Sequence, residues 1–144
     1  MKKIILTALA TAGLAFFSFA QAKHVVGEKW GGGVVFIVDP DGRHGLIAET
    51  LNQGNTSWAH AKEICKTGTH SKAGKAFKDW RLPTKAELNE MYVHIFDIDG
   101  FTSGNYWSST EEGTGYAWGE DFVDGTQTPD FKTWPNDVRA VRAF

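Results

Sequence analysis

Two apolar segments separated by a turn sequence predict a β-hairpin within residues 34–49. Residues 34–38 are an apolar, β-branched run, which favours a strand. The DPDG sequence of residues 39–42 predicts a turn, because Pro40 fixes φ and Gly42 accepts a positive φ. Residues 45–49 then form the return strand of the hairpin.

After this hairpin, apolar residues recur at the spacing of an α-helix. Ser57 is a suitable N-cap, and Gly68 is a suitable end for the helix. The residues between them that share one helical face are Trp58, Ala61, Ile64 and Cys65. The polar, glycine-containing stretch after the helix, residues 66–79, predicts a surface loop.

The sequence WRLPTKAEL predicts the start of a second helix. Thr84 and Glu87 have the spacing of a capping box, and Pro83 keeps Leu82 extended so that the helix cannot begin earlier. We expect Trp80 and Leu82 to enter the core from the preceding extended segment. The apolar stripe predicted for this helix is Leu88, Met91, Tyr92, Ile95 and Phe96.

The rest of the chain predicts strands over residues 105–110, 116–125 and 138–144, with an Asp-Gly turn at the end of the second. Two strands, two helices and three strands in this order indicate an α+β domain whose helices pack on a mainly antiparallel sheet.

The first 22 residues have the pattern of a secretory signal peptide. Lys2 and Lys3 precede an apolar run, and residues 20–22 read Ala-Gln-Ala, the A-x-A cleavage pattern. We therefore expect a signal peptide at 1–22 and a mature domain at 23–144. The mature chain is expected to be exported, either periplasmic or secreted, with no membrane span after signal cleavage.

The net charge of the mature chain limits the classes of partner that it is expected to bind. Residues 23–144 carry 13 Lys and Arg against 17 Asp and Glu, a net charge of −4, which argues against nucleic acid as the main partner. The basic residues are concentrated before residue 86, where 10 oppose 6 acidic ones.

Cys65, the single cysteine, excludes an intramolecular disulfide, and its position predicts a buried, unreactive thiol.

Several motifs in a fixed order resemble one known family. The motifs are GGVVFIVDPDGRHGLIAE, WRLPTKAEL, YWSSTE, the segment 118–125 and VRAVRAF at the end of the chain. Together they resemble the Lcl-type domain, which is the C-terminal domain of bacterial collagen-like adhesins and was formerly a domain of unknown function. The resemblance covers residues 31–144.

This resemblance implies a C-type-lectin-like fold in which two helices flank the sheet and the N- and C-terminal strands are paired. It also implies recognition of sulfated polysaccharides, such as glycosaminoglycans, during surface attachment. The sequence departs from the collagen-like adhesins in one respect, since it contains no Gly-X-Y repeat.

A basic stretch around the inter-helix loop is the candidate ligand site. Sulfated glycans are dense polyanions that flexible lysines can bind through counterion release. The expected ligand-binding residues are Lys72, Lys75, Lys78, Lys66 and Lys85. The alternative is a solvated loop whose lysines only maintain solubility. Trp107 and Trp118 are stacking candidates, with burial in the core as the alternative. Arg81 is expected to form a half-buried or buried ion pair.

Only a few scattered residues are candidate metal ligands. Asp130, Asn136 and Asp137 are oxygen donors that suit calcium, but Pro135 interrupts the Trp-Asn-Asp pattern of calcium-dependent lectins. His60, Cys65 and His70 match the spacing of no common structural zinc site, and the histidines are expected on the surface and in loops. No cofactor other than calcium is indicated.

Catalytic motifs are missing from the sequence. It contains no G-x-S-x-G, H-E-x-x-H or phosphate-binding loop, and Ser108 and Ser109 have no indicated base. The sequence therefore predicts a non-enzymatic binding module for anionic polysaccharide. One alternative is an interaction module for an envelope protein that uses the aromatic and acidic C-terminal half. A further alternative is an uncharacterised hydrolase.

Overall fold

The structure is a computed structural model that describes residues 22–144. The predicted signal peptide lies outside the described residues, apart from Ala22 at its end. Within the described range, no helix combines the length and the hydropathy that a membrane span requires.

The described residues form an α+β domain, as the sequence predicts. The helices are α1 (Trp58–Thr67) and α2 (Lys85–Val93), with a short 3-10 helix at Gly74–Ala76 between them. The strands are β1 (Lys29–Trp30), β2 (Gly33–Val38), β3 (Gly45–Ala48), β4 (Gly54–Thr56), β5 (Asn105–Glu111), β6 (Tyr116–Asp121), β7 (Gln127–Phe131), β8 (Asn136–Val138) and β9 (Val141–Ala143).

These strands form two sheets rather than one. The first sheet has the order β1-β2-β3-β9, and the second has the order β4-β8-β5-β6-β7. All pairings are antiparallel except the parallel contact between β5 and β8. Mainly antiparallel sheets with two helices therefore confirm the predicted fold class.

The predicted N-terminal hairpin is present as β2 and β3. Gly42 has φ +73°, and its N–H donates to the Asp39 carbonyl at 2.8 Å, so the turn has the predicted chemistry. The last strand, β9, pairs antiparallel with β3, the return strand of this hairpin. The aromatic ring of Phe144 lies beside that of His24, 5.1 Å between centroids. Both ends of the described chain consequently meet at this sheet.

The predicted single closing strand over 138–144 is wrong, because the chain changes sheet within it. β8 belongs to the second sheet and β9 to the first. At the crossing, the fully buried Arg139 donates to the carbonyls of Glu49 at 2.7 Å, Asp99 at 3.1 Å and Gly100. A buried guanidinium needs such acceptors, and a continuous strand would not bring them together.

Two apolar clusters make up the core. The first lies against α1, and the predicted core residues Trp80 and Leu82 belong to it. The second lies against α2 and contains Leu88 and Met91, with Tyr92 and Ile95 packed at its edge. Phe96 was expected in this stripe but is 99% exposed. That prediction is wrong because α2 ends at Val93, which breaks the helical spacing.

The predicted caps are correct for α2 and partly correct for α1. The Glu87 N–H donates to Thr84 Oγ1 at 3.3 Å, and the Thr84 N–H donates to the Glu87 carboxylate at 2.8 Å, which completes the capping box. Ser57 occupies the N-cap of α1, but its side chain makes no capping hydrogen bond. Gly68 ends α1 in an extended conformation, where a Cβ would lie 2.4 Å from the Ile64 carbonyl oxygen.

Candidate functional site

The loop that carries most of the predicted ligand residues is held firmly at its first end. We call residues 69–79 the lysine loop. The buried carboxylate of Glu49 accepts from His70 Nδ1 at 3.0 Å and from the Ser71 N–H at 3.3 Å. Gly74 packs against the same carboxylate, and a Cβ there would lie 2.1 Å from Glu49 Oε2. The loop is therefore docked beside the end of β3, at Glu49, and is not free in solvent.

The second end of the lysine loop is fixed by aromatic and charged contacts. Trp80 Nε1 donates to the Gly74 carbonyl at 2.8 Å. The Arg142 guanidinium lies 4.0 Å from the centroid of Phe77, and its Nε donates to Asp79 at 2.8 Å. This bond to Arg142 lowers the pKa of Asp79. These contacts hold the loop against the edge of the first sheet.

The lysines themselves project from this docked loop into solvent. Lys72, Lys75 and Lys78 are exposed, as is Lys66 on α1. In residues 22–144, none of the four lies within 4.0 Å of a carboxylate, and the lysines that form ion pairs are Lys29 and Lys132. The structure thus brings four of the five predicted ligand lysines to the surface without acidic partners.

Lys85, the fifth predicted ligand residue, has a different environment. Its Nζ lies 3.0 Å from the centroid of the Trp118 ring, which is a cation–π contact. Lys85 is therefore already engaged by an aromatic ring, in contrast to the four exposed lysines.

Arg81 forms the half-buried ion pair that the sequence predicts. Its two terminal nitrogens donate to the two Glu87 carboxylate oxygens at 2.7 and 2.8 Å. Although burial opposes the effect, Arg81 and the Thr84 N–H lower the pKa of Glu87. Arg81 therefore ties the chain to the first turn of α2.

Two surface clefts border the basic region. The larger has a volume of about 540 Å³ and contains Lys72; we call it the Trp30 cleft, lined by Lys29, Trp30, Gly31, Gly32, Gly33, Thr50, Ser71, Lys72 and Ala73. The smaller, of about 330 Å³, is lined by Lys62, Lys66, Arg81, Leu82, Thr84 and Ser109. Positive side chains thus line both clefts.

Sequence reasoning did not identify Lys29 and Trp30 as site residues. They reach the cleft because β1 and β2 form a tight hairpin whose two central residues, Gly31 and Gly32, have φ of +58° and +96°. Positive φ at both positions is the requirement of a type I′ turn, and a Gly-Gly pair is its sequence signal. That signal was available in residues 31–32, but β1 has only two residues and leaves no alternating pattern.

The tryptophans proposed from the sequence for stacking are both engaged in contacts within the domain. Trp107 is fully buried and donates from Nε1 to the Thr56 carbonyl at 2.8 Å, in agreement with the core alternative. One face of Trp118 is covered by Lys85, and its Nε1 donates to Glu112 at 2.8 Å. Exposed indole surface instead occurs at Trp30 and Trp134.

The three calcium candidates do not converge. Asn136 and Asp130 are both buried and in contact, since the Asn136 amide nitrogen donates to Asp130 Oδ2 at 2.7 Å. Asp137, the next residue on β8, accepts instead from Asn55 at 2.9 Å and Thr102 at 2.7 Å. Neighbouring residues of a strand point to opposite faces, which separates the carboxylates.

Two histidines differ from the predicted surface positions. The side chains of His24 and His70 are buried, and each pairs with a glutamate. Among residues 22–144, no three His, Cys, Asp or Glu side chains are grouped as a metal site would require.

Cys65 is fully buried as expected, and desolvation raises the pKa of its thiol to about 12. A thiol with this pKa stays protonated at neutral pH.

The strand hydroxyl and carboxyl groups serve structural contacts. Ser108 is buried, and its hydroxyl donates across the sheet to the Trp118 carbonyl at 2.7 Å. Glu111 pairs with Lys132 at 2.7 Å. These contacts occupy the Ser108 hydroxyl and the Glu111 carboxylate.

The comparison with protein families agrees with the resemblance seen in the sequence motifs. A search of curated proteins finds no match to the chain. The family model of the Lcl C-terminal domain, a non-catalytic, adhesin-associated domain, matches residues 37–142, from the end of β2 to β9. Because this match covers well over half of the sequence, the chain belongs to the Lcl C-terminal domain family.

Proposed function

We propose that this protein is an exported, non-enzymatic module that binds anionic polysaccharide through the lysine loop. The observation that carries the proposal is the set of exposed lysines on a docked loop, Lys72, Lys75 and Lys78, without carboxylate partners in the described chain. The adhesin association of the family supports a role in surface attachment.

The anchored base of the loop favours binding of a polymer. Gly74 and Trp80 hold the backbone, so only the lysine side chains lose freedom when a polyanion binds. Lys75 lies in the 3-10 helix Gly74–Ala76, and Lys72 lies in the turn just before it, so both ammonium groups are carried by the same short, docked segment. Neighbouring ammonium groups displace several counterions from one polymer segment, which makes binding strongly salt-dependent.

Export is part of the proposal. The N-terminal signal pattern and the adhesin-associated family both support it, and a periplasmic or secreted location fits equally. A polysaccharide outside the cytoplasm would be accessible in either location.

Retention on immobilised heparin tests the proposal. The domain 23–144 is expected to bind at low ionic strength and to elute as salt rises. Substituting Lys72 and Lys75 by glutamate should move elution to markedly lower salt, since roughly one unit of the salt slope is lost per removed contact. Adding Lys78→Glu should weaken retention further.

A charge-matched control keeps net charge from explaining the result. Lys23→Glu with Arg43→Glu changes the net charge equally, but these residues lie beside the β2–β3 turn, at the opposite end of the hairpin from Gly33. This control should elute close to the wild-type protein. Flow-through of the wild-type domain at low salt, or equal losses in both double variants, would refute the lysine loop as the binding site.

A second function is favoured by a separate surface. Tyr116, Phe131 and Trp134 are exposed and in mutual contact, with centroid distances of 4.5 and 5.0 Å. Phe131 lies on β7, which is the edge strand of the second sheet. An exposed aromatic cluster at a sheet edge suits a protein partner in the envelope. Loss of a co-purifying envelope protein in a Trp134→Ala variant would support this function.

A further inference from the structure

We propose that the Trp30 cleft binds a single pyranose ring of the anionic polysaccharide, with the ring stacked on Trp30 and its charged substituent held by Lys29 and Lys72. This inference rests on the proposed function and makes it more specific. It assigns ring recognition to the cleft and polymer charge to the remaining loop lysines.

The indole of Trp30 is a rigid, half-open platform. The buried His24 ring lies 3.9 Å from it between centroids, at an interplanar angle of 34°, and Phe144 contacts it at 5.3 Å. His24 is itself fixed by Glu28 at 3.1 Å. Trp30 is nevertheless 41% exposed and lines the cleft. A ring supported from behind and open in front binds without losing side-chain entropy.

The turn beside this platform presents backbone instead of side chains. Gly31 and Gly32 are both in the cleft lining and have positive φ, so other residues are disfavoured there. A Cβ on Gly32 would lie 2.8 Å from the Phe77 ring. The side-chain-free turn lets the C–H face of a sugar ring approach the indole and the backbone closely. The volume of about 540 Å³ falls in the range of small-ligand pockets.

The charges at the cleft suit a sugar that carries sulfate or carboxylate. Lys72 contributes an ammonium group without a carboxylate partner in residues 22–144. Lys29 pairs with Asp99 at 2.9 Å, but both side chains are well exposed. An exposed pair of this kind contributes little because solvent screens it, so an incoming anion can displace Asp99.

The other exposed tryptophan lacks this combination. Next to Trp134, the lysine side chain of Lys132 is already bonded to Glu111 at 2.7 Å and to the carbonyls of Gly113 and Thr114. An anionic sugar stacked there would have to compete with three acceptors. Trp134→Ala is therefore a matched control for Trp30→Ala.

The test compares two polyanions by isothermal titration calorimetry at one fixed ionic strength. Heparin has sugar rings, whereas poly(vinyl sulfate) carries sulfate on a chain without rings. The wild-type domain is expected to prefer heparin. Trp30→Ala should weaken heparin binding by about tenfold, the loss of one well-packed aromatic contact, and leave poly(vinyl sulfate) binding unchanged. Trp30→Tyr should retain most of the heparin affinity, and Trp134→Ala all of it.

Each outcome separates the inference from the proposed function. Thermal unfolding of each variant first establishes that it is folded. If folded Trp30→Ala binds heparin as the wild type does, or loses both polymers equally, ring stacking in the cleft is wrong while polyanion binding stands. Equal wild-type affinity for the two polymers has the same meaning. If the wild-type domain binds neither polymer, the proposed function itself fails.

Discussion

Glu120 on β6 is a fully buried carboxyl group with incomplete hydrogen bonding. Gln127 Nε2 donates to its Oε2 at 2.9 Å, whereas its Oε1 has no partner in the described chain. Burial raises the pKa of Glu120 from 4.5 to about 7, against the opposing effects of Gln127 and Lys85. The folded state therefore holds a proton on Glu120 at pH values where the unfolded chain has released it.

This raised pKa predicts a stability that falls with pH. Below about pH 4.5 both states are protonated and the contribution of Glu120 is fully present; it is lost as the pH rises through about 7. The free energy of unfolding of the wild type, relative to Glu120→Gln, should fall by about 3 kcal/mol across this window. Denaturant unfolding at several pH values measures the difference. A constant difference from pH 4 to 8 would contradict the assignment.

At the residue scale, sequence predicts contacts between neighbours better than contacts across the fold. Thr84 and Glu87 lie three positions apart, so spacing alone identified their capping box, whereas Arg81 was expected in an ion pair whose partner, Glu87, the sequence did not indicate. Arg139 bonds to carbonyls 39 to 90 positions away, and Glu49 pairs with His70 after 21. Such partners are set by the tertiary fold, and periodicity carries no information about them.

At the scale of the elements, the two helices begin in different ways. α2 has a complete capping box at Thr84, whereas Ser57 at the start of α1 makes no side-chain cap. The start of α1 is fixed instead by Trp58, whose N–H donates to the Lys132 carbonyl at 3.0 Å and whose indole donates to the Ser108 carbonyl at 2.8 Å. Tertiary contacts replace the local signal there.

This difference predicts unequal effects of two similar substitutions. Thr84→Ala should lower the free energy of unfolding by about 1 kcal/mol, because it removes a hydrogen bond to the first turn of α2. Ser57→Ala should change it by less than about 0.5 kcal/mol, since no capping bond is lost. Urea unfolding of both variants checks the pair. Equal losses would show that Ser57 caps α1 in solution.

The lysine loop shows where sequence information about an element ends. Its polarity and glycines correctly predict a surface segment that displays lysines. Its docking through Glu49, Gly74 and Trp80 depends on a strand and a 3-10 turn that come together only in the folded domain. Composition therefore predicted the exposed lysines of the candidate site. It predicted neither the contacts that dock the loop nor the Trp30 cleft.

At the scale of the whole molecule, the sequence predicts the α+β class but not the division into two sheets. Long strands such as β2 and β5 have recognisable patterns. Strands β1, β4 and β8 have two or three residues each, too few for alternation to be detected. Because β8 is one of these short strands, the change of sheet at Arg139 was hidden within one apparent run.

The two ends of the described chain lie close enough for a short linker to join them. Since Phe144 contacts His24 and β9 is already paired with β3, a short Gly-Ser linker from 144 to 24 should add little strain. A circular permutant opened at Gly113–Gly115, where the glycines face open space, should unfold cooperatively and retain heparin binding. A permutant opened inside β5, between Trp107 and Ser108, should not fold. These two results together would show that the order in which the strands are connected matters less for this domain than which strands lie side by side.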